Sequence, residues 1–328
     1  MRKTNDLGRD PVFRLVCRLA IPTMLAQLVS VLYSIVDRIY IGNIQGIGDL
    51  ALAGVGVCGP IVTLLSSFAS LVGLGGSPIM AMRMGEGRDR EAGRVLSNSF
   101  LMLLILSGGL TTLFLLLKEH LLMWFGASDA TFGYANTYLT IYTAGTFFAL
   151  MATGMNSFLI AQGFSGLGMA TVMLGAVLNI VLDPILIFGL LGLPALGVTG
   201  AAVATVAGQM TACSLAVLYF FRTNPGIHIT LSDMRPDRSI AKRIYAVGVP
   251  SGLMTAMPSL LVGILNALLV ELHALAVAAF GLYFKLQTFV YMPANGLIQG
   301  MRPLISYNYG AGRQDRMRHI IRWSLILT

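Results

Sequence analysis

Long apolar runs separated by short polar stretches dominate this sequence. A membrane-spanning helix needs about 20 mostly apolar residues, and eight runs reach that length. They lie at residues 12–41, 50–84, 92–117, 131–160, 169–188, 198–221, 244–270 and 274–298. Residues 313–328 have the pattern of the opening turns of a ninth span. The pattern predicts an all-α polytopic membrane protein.

The longest polar interruption lies at residues 222–243 and is rich in Arg and Lys. It predicts a cytoplasmic linker between two lobes. Residues 1–221 then form an N-terminal lobe with six transmembrane helices. Residues 244–328 form part of a C-terminal lobe, with two further helices and the start of a third.

An internal repeat relates the two predicted lobes. The segment 51–56 (ALAGVG) aligns with 276–281 (AVAAFG) at an offset of 225 residues, and the same offset superposes Gly85 on Gly310. Both copies begin on the same side of the membrane, which is the parallel repeat of many transporters. A complete second copy would hold six helices, so we expect a chain truncated at its C-terminus by about four spans.

Composition and charge agree with a membrane location. The chain is 56% hydrophobic and 11% charged, whereas soluble domains carry about 25% charged residues. Of the 22 Lys and Arg residues, 19 fall in the segments 2–18, 83–94, 222–243 and 302–322. Each segment follows an even number of spans, and cytoplasmic loops are enriched in Lys and Arg. This predicts a multi-pass protein of the cell (plasma or inner) membrane with a cytoplasmic N-terminus. The positions of Lys and Arg also account for the net charge of +8, so this charge does not indicate nucleic-acid binding.

The sequence contains no enzyme motif in a structural context that would support its function. Gly54-Val-Gly-Val-Cys-Gly59 fits G-x-G-x-x-G, but it lies in an apolar run where glycines favour helix packing instead. The four His residues are scattered, and neither a zinc-binding H-E-x-x-H nor a Walker A motif occurs. The three Cys residues lie far apart in apolar runs, so no disulfide framework is indicated. We therefore expect no enzymatic activity and no cofactor.

The candidate chemistry centres on Asp183, inside the fifth apolar run. A carboxylate at bilayer depth is costly and marks a functional site by default. Asn179 precedes it by one helical turn and shares its face, and Pro184 leaves the carbonyl of Ile180 without its helical N–H. The alternative is a proline-kinked helix whose Asp bonds to a neighbouring helix.

Two more polar side chains are predicted at the same depth. Counting at 1.5 Å per residue places Asp37, Asp183 and Thr205 about 8–12 Å below the outer surface. Two neighbouring carboxyl groups resist ionising together, so such a pair can hold a proton or exchange it for a cation such as Na⁺ bound by several oxygens. Tyr33 and Gln27 are candidates for the substrate cavity, although core packing explains Tyr33 equally well.

Several motifs together resemble the multidrug and toxic compound extrusion (MATE) family of cation-coupled efflux transporters. They are Val36-Asp-Arg-Ile-Tyr-Ile-Gly42, Gln162-Gly163, Asn179-Ile-Val-Leu-Asp-Pro184, Gly197-Val-Thr-Gly-Ala-Ala-Val-Ala-Thr205 and Pro303-Leu-Ile-Ser-Tyr-Asn-Tyr-Gly-Ala-Gly312. The resemblance implies two six-helix bundles around a central cleft, with rocker-switch alternating access.

The resemblance also implies site residues. The family's N-terminal cation site matches Asp37, Asn179, Asp183 and Thr205, with Asn156 as an associate, and a bend of the first helix would fall at Pro22. One departure is that residues 255–261 carry no carboxylate, so a second cation site in the C-terminal lobe is unsupported.

The leading hypothesis is a secondary antiporter that exports amphipathic, often cationic, organic compounds in exchange for H⁺ or Na⁺. We expect small organic substrates, contacts with membrane lipids and a monomeric protein. The alternative is a lipid-linked oligosaccharide flippase, which would need a strongly cationic cleft. Away from the basic segments, the predicted membrane interior of this chain offers it only Arg38 and Lys285. A third class is a sensor or binding protein that does not transport.

Overall fold

The computed structural model describes residues 5–223, 227–272 and 274–327, and these residues form ten α-helices. They are α1 (Val12–Gly42), α2 (Gly48–Gly85), α3 (Asp89–Trp124), α4 (Asp129–Ala144), α5 (Thr146–Ala161), α6 (Ser165–Phe188), α7 (Val198–Leu218), α8 (Arg238–Leu272), α9 (Ala274–Gly310) and α10 (Gln314–Leu327). Within the described residues, α1, α2, α3, α6, α7 and α8 are long and apolar enough to cross a membrane. This confirms the prediction of an all-α polytopic membrane protein.

The predicted fourth span, residues 131–160, is two helices rather than one. Helices α4 and α5 meet at Gly145 with a bend of 57°. A Cβ atom on Gly145 would lie 2.7 Å from Cγ2 of Val206 on α7, so the absence of a side chain lets α7 pack into the bend. The predicted eighth span also differs, because α9 continues past residue 298 to Gly310.

The helices define two sides of the molecule. The basic side holds the start of α1 and the turns at residues 86–88 and 311–313, where Lys and Arg concentrate. The opposite side holds the end of α1, the turn at residues 125–128 and the connection at residues 189–197. We call α1–α7 the N-terminal bundle, following the predicted N-terminal lobe. Its predicted border with the C-terminal helices α8–α10, at residues 222–243, stays a prediction.

The internal repeat is visible in how α2 and α9 end. At the end of α2, the amide of Arg88 donates to the carbonyl of Arg83 at 2.9 Å, and Gly87 has φ 73°. At the end of α9, Arg313 donates to Asn308 at 2.9 Å, and Gly312 has φ 68°. Both turns need a residue that tolerates positive φ. The two helices therefore end in the same motif, 225 residues apart.

The same repeat shapes the crossing of α2 and α9 on the basic side. Cβ atoms on Gly85 and Gly310 would overlap the carbonyl oxygens of Tyr307 and Met82, respectively. Adding 225 to residues 82 and 85 gives 307 and 310, so the two contacts are equivalent. A crossing of this kind is expected from two copies related by a pseudo-two-fold axis.

Further close contacts join the N-terminal bundle to the C-terminal helices in their basic-side halves. A Cβ on Gly75 of α2 would lie 2.8 Å from Cα of Gly248 on α8. A Cβ on Gly300 of α9 would lie 2.9 Å from Cα of Ala20 on α1. Small residues let membrane helices approach closely and gain van der Waals contact. The described structure is thus closed on its basic side.

An ion-pair network fixes the basic-side turn between α2 and α3. Glu86 accepts from Arg83 at 2.6 Å and from Arg88 at 3.2 Å, and Arg88 also pairs with Glu91. The hydrogen bond from Arg83 lowers the pKa of Glu86 below its usual value. The carboxyl group of Glu86 is therefore ionised at neutral pH.

Candidate functional site

Asp37 of α1 and Asp183 of α6 meet inside the N-terminal bundle. Asp183 is fully buried and Asp37 is 8% exposed, and their carboxyl groups lie within hydrogen-bonding contact of each other. Each residue lies five positions before the end of its helix. Both residues therefore lie about 8 Å, measured along the helix axis, from the helix ends on the side opposite the basic side. The structure brings together the two acids that the sequence singled out.

Asn179 completes the set that we call the carboxyl cluster, namely Asp37, Asn179 and Asp183. Its Nδ2 donates to Oδ1 of Asp183 at 3.3 Å, and its side chain is 2% exposed. Close contact of α6 with α7 determines its position. A Cβ on Gly208 would lie 2.7 Å from the carbonyl oxygen of Gly175 and 3.5 Å from Cβ of Asn179.

Several buried oxygens around the cluster have no hydrogen-bond partner. They are Oδ1 of Asp37, Oδ1 of Asn179, Oδ2 of Asp183 and Oε1 of Gln209. A buried polar atom left unpaired costs about 1–3 kcal/mol, so such atoms concentrated in one region need an explanation. Carboxylate and amide oxygens suit a proton or a hard cation. Three of these oxygens belong to Asp37, Asn179 and Asp183, which with Thr205 are the predicted Na⁺ ligands; the ion site itself stays a prediction.

Tyr138, which was not among the predicted site residues, links Thr205 to the carboxyl cluster. Tyr138 of α4 makes a polar contact with Thr205 and interacts electrostatically with Asp37. Its ring stacks on that of Tyr142 with centroids 6.3 Å apart, and Tyr142 contacts Gln209 of α7. The i,i+4 spacing of Tyr138 with Tyr142, and of Thr205 with Gln209, is the signal that could have found this contact.

Tyr33 also lies at the cluster. It is one turn before Asp37 on α1, and it interacts electrostatically with Asp37, Asp183 and Tyr142. Gln27 is ten residues before Asp37 on the same helix and half-buried, so it lies about 15 Å nearer the basic side. The structure thus brings Tyr33, but not Gln27, to the carboxyl cluster.

Asn156 lies apart from the carboxyl cluster. Its Nδ2 donates to the carbonyl of Gly168 at 2.9 Å and to Oγ1 of Thr171 at 3.0 Å. Thr171 precedes Asp183 by twelve residues on α6, which is about 18 Å along the helix. In this structure Asn156 joins the basic-side ends of α5 and α6.

Pro22 lies in an unbroken stretch of α1, and a hydroxyl of α6 compensates for its missing N–H. Proline leaves the carbonyl four residues earlier, that of Arg18, without a helical donor. Oγ of Ser165, at the start of α6, donates to this carbonyl at 3.2 Å. Next to the proline, Oγ1 of Thr23 donates to the carbonyl of Gly296 on α9 at 2.6 Å.

A polytopic helical bundle with a parallel repeat and paired buried acids has the architecture of a secondary transporter. The sequence profile of the MatE family matches residues 22–185 and 250–328. The chain belongs to this family of efflux transporters.

Two similar proteins carry the name of a multidrug export protein. The chain is 29% identical over 315 residues to the multidrug export protein MepA of Staphylococcus saprophyticus, covering 96% of the chain and 68% of that protein. It is 27% identical over 311 residues to MepA of Staphylococcus haemolyticus, covering 95% of the chain and 67% of that protein.

Solved structures show the same fold. An outward-facing multidrug resistance MATE family transporter superposes with a TM-score of 0.90 at 27% identity, covering 99% of this chain and 72% of the other. A MOP superfamily transporter from Pyrococcus furiosus gives the same values. These likenesses extend through α1–α10, so the relatives share the helices that carry the carboxyl cluster.

Proposed function

We propose that this protein is a secondary antiporter that exports amphipathic, often cationic, organic compounds in exchange for H⁺ or Na⁺. The carboxyl cluster is the coupling site, and alternating access opens it first to one side of the membrane and then to the other. The multidrug export function of the MepA relatives supports the substrate class. The concentration of Lys and Arg on the basic side supports a cytoplasmic location of that side.

The contact between Asp37 and Asp183 is the observation that carries this proposal. An ionised carboxylate can only accept hydrogen bonds, so two carboxyl groups can share a hydrogen bond only when one of them carries a proton. A cation bound between their oxygens satisfies the same geometry. Loading and unloading this ion changes how α1 is held against α6, which is the change an antiporter needs. No separate cofactor is required.

Vesicles containing the purified protein test the proposal. A H⁺ gradient and a Na⁺ gradient are imposed one at a time, and uptake of a fluorescent organic cation is measured together with ion flux. Asp37→Asn and Asp183→Asn keep the size of each side chain but remove its charge. We expect each to reduce gradient-driven transport at least about tenfold, because the coupling site loses one of its two acids.

Asp49→Asn is the matched control, since Asp49 is an exposed acid at the start of α2. It should transport like the unchanged protein. Full coupling in both cluster variants would refute the coupling site. Transport of a lipid-linked oligosaccharide without ion coupling would instead favour the flippase alternative.

A further inference from the structure

The segment of residues 5–10, which we call the N-terminal strap, is fastened to the N-terminal bundle. Nδ2 of Asn5 donates to the carbonyl of Gly163, in the turn between α5 and α6, at 2.7 Å. Oδ1 of Asn5 accepts from the guanidinium of Arg18 on α1 at 3.0 Å. A Cβ on Gly163 would lie 3.1 Å from Cδ2 of Leu7, so the strap also packs tightly against this turn.

The same strap is fastened to the C-terminal helices. The fully buried Asn308 of α9 donates to the carbonyl of Leu7 at 3.1 Å. The guanidinium group of Arg313, in the turn before α10, donates to the carbonyl of Gly8, and that of Arg316 of α10 donates to the carbonyl of Asp10. Three backbone carbonyls of one short segment are thus held by side chains from α9, α10 and the turn between them.

The strap is compact and carries a hydrophobic anchor. Oδ1 of Asp6 accepts from the amides of Gly8 and Arg9 at 2.9 and 3.0 Å, which closes the segment into a turn. The side chain of Leu7 is 3% exposed and packs in a core with Leu19 of α1 and Leu304 of α9. The anchor therefore lies between helices of both parts of the molecule.

We propose that the N-terminal strap is a latch that holds the basic side of the transporter closed. The inference rests on the alternating access proposed above. Opening of the basic side separates the turn at Gly163 from α9 and α10, so the strap cannot keep both sets of contacts. It must release Asn5 from Gly163, or release its carbonyls from Asn308, Arg313 and Arg316. Its contacts stabilise the closed state without blocking the open one.

The distance between two spin labels reports opening of the basic side directly. Asp89→Cys and Gln314→Cys place labels at equivalent exposed positions of the repeat, just after the turns at residues 86–88 and 311–313. Cys17→Ser removes a half-buried thiol, and Cys58 and Cys213 are buried. Label distances are measured in lipid nanodiscs for the unchanged strap, for Asn5→Ala, for Leu7→Ala and for the double variant.

We expect the double variant to raise the ratio of open to closed populations about tenfold, and each single change to raise it less. Arg9→Ala is the matched control. Arg9 is exposed, and within the described residues its side chain makes no hydrogen bond or ion pair. Arg9→Ala should leave the distances unchanged.

Unchanged distances in the double variant would overturn the latch, whatever the transport activity. An equal shift in Arg9→Ala would also overturn it, because the effect would then not depend on the strap's contacts. A shift confined to the Asn5 and Leu7 variants supports the latch. If none of the proteins, including the unchanged one, couples transport to an ion gradient in vesicles, the proposed function fails separately.

Discussion

Asn179 differs from the two acids of the carboxyl cluster because it both donates to Asp183 and leaves an oxygen free for an ion. Asn179→Ala removes the donor and the oxygen together. We expect the ion concentration needed for half-maximal transport to rise about tenfold, the effect of about 1.4 kcal/mol. The KM for the organic substrate should change little. Transport measured over a series of ion gradients checks both quantities.

Asn156→Ala is the matched control for this prediction. The amide of Asn156 bonds to Gly168 and Thr171, about 18 Å from the cluster along α6. Its loss should lower thermal stability and leave the ion dependence unchanged. A shift as large as that of Asn179→Ala would extend the coupling site to Asn156, as the family resemblance implies.

Single residues were predictable from the sequence where their chemistry was exceptional. Asp37 and Asp183 stand out because acids are rare inside apolar runs, and counting positions along helices gave their depth. Tyr138 and Tyr142 were missed because tyrosine is common in membrane helices. Their i,i+4 spacing places both rings on one face of α4, but which helix that face contacts depends on tertiary packing.

At the scale of one element, α1 receives a hydrogen bond from α6 one turn before Pro22. Ser165→Ala removes the hydroxyl that bonds to the carbonyl of Arg18, which Pro22 leaves without a helical donor. A buried acceptor without a partner costs about 1–3 kcal/mol. We expect a lower midpoint of thermal unfolding in detergent and an α1 that bends more easily.

Ser157→Ala is the control on the neighbouring helix, because within the described residues its hydroxyl bonds to a carbonyl of its own helix, that of Thr153 in α5. Thermal unfolding followed by tryptophan fluorescence should separate the two variants. Equal midpoints for both would show that the hydroxyl of Ser165 contributes nothing to α1.

Helix positions were largely predictable, since span length and apolar runs are local properties. The break between α4 and α5 was not. Residues 131–160 contain no charged residue and no proline, and Gly145 alone does not predict a bend. The bend depends on Val206 of α7 filling the space beside Gly145, which is a tertiary contact.

At the scale of the whole molecule, two features were predictable. The parallel repeat follows from a constant sequence offset, and the basic side follows from the positions of Lys and Arg. The closed arrangement of the basic side was not, since it depends on packing between helices distant in sequence. The repeat still helps to interpret it. Glycines that align at an offset of 225 turned out to contact the opposite copy.

This reciprocal crossing gives a prediction for the whole transporter. Gly85→Ala or Gly310→Ala places a methyl group against a backbone carbonyl of the other helix, and overpacking typically costs about 1–3 kcal/mol. Because the cost falls on the closed basic side alone, either change should favour the open state and lengthen the distance between labels at residues 89 and 314. Gly56→Ala is the control, since a Cβ on this α2 residue would meet nothing within 4 Å. If Gly56→Ala lengthens the distance equally, or if neither of the other changes does, the α2–α9 crossing does not control closure.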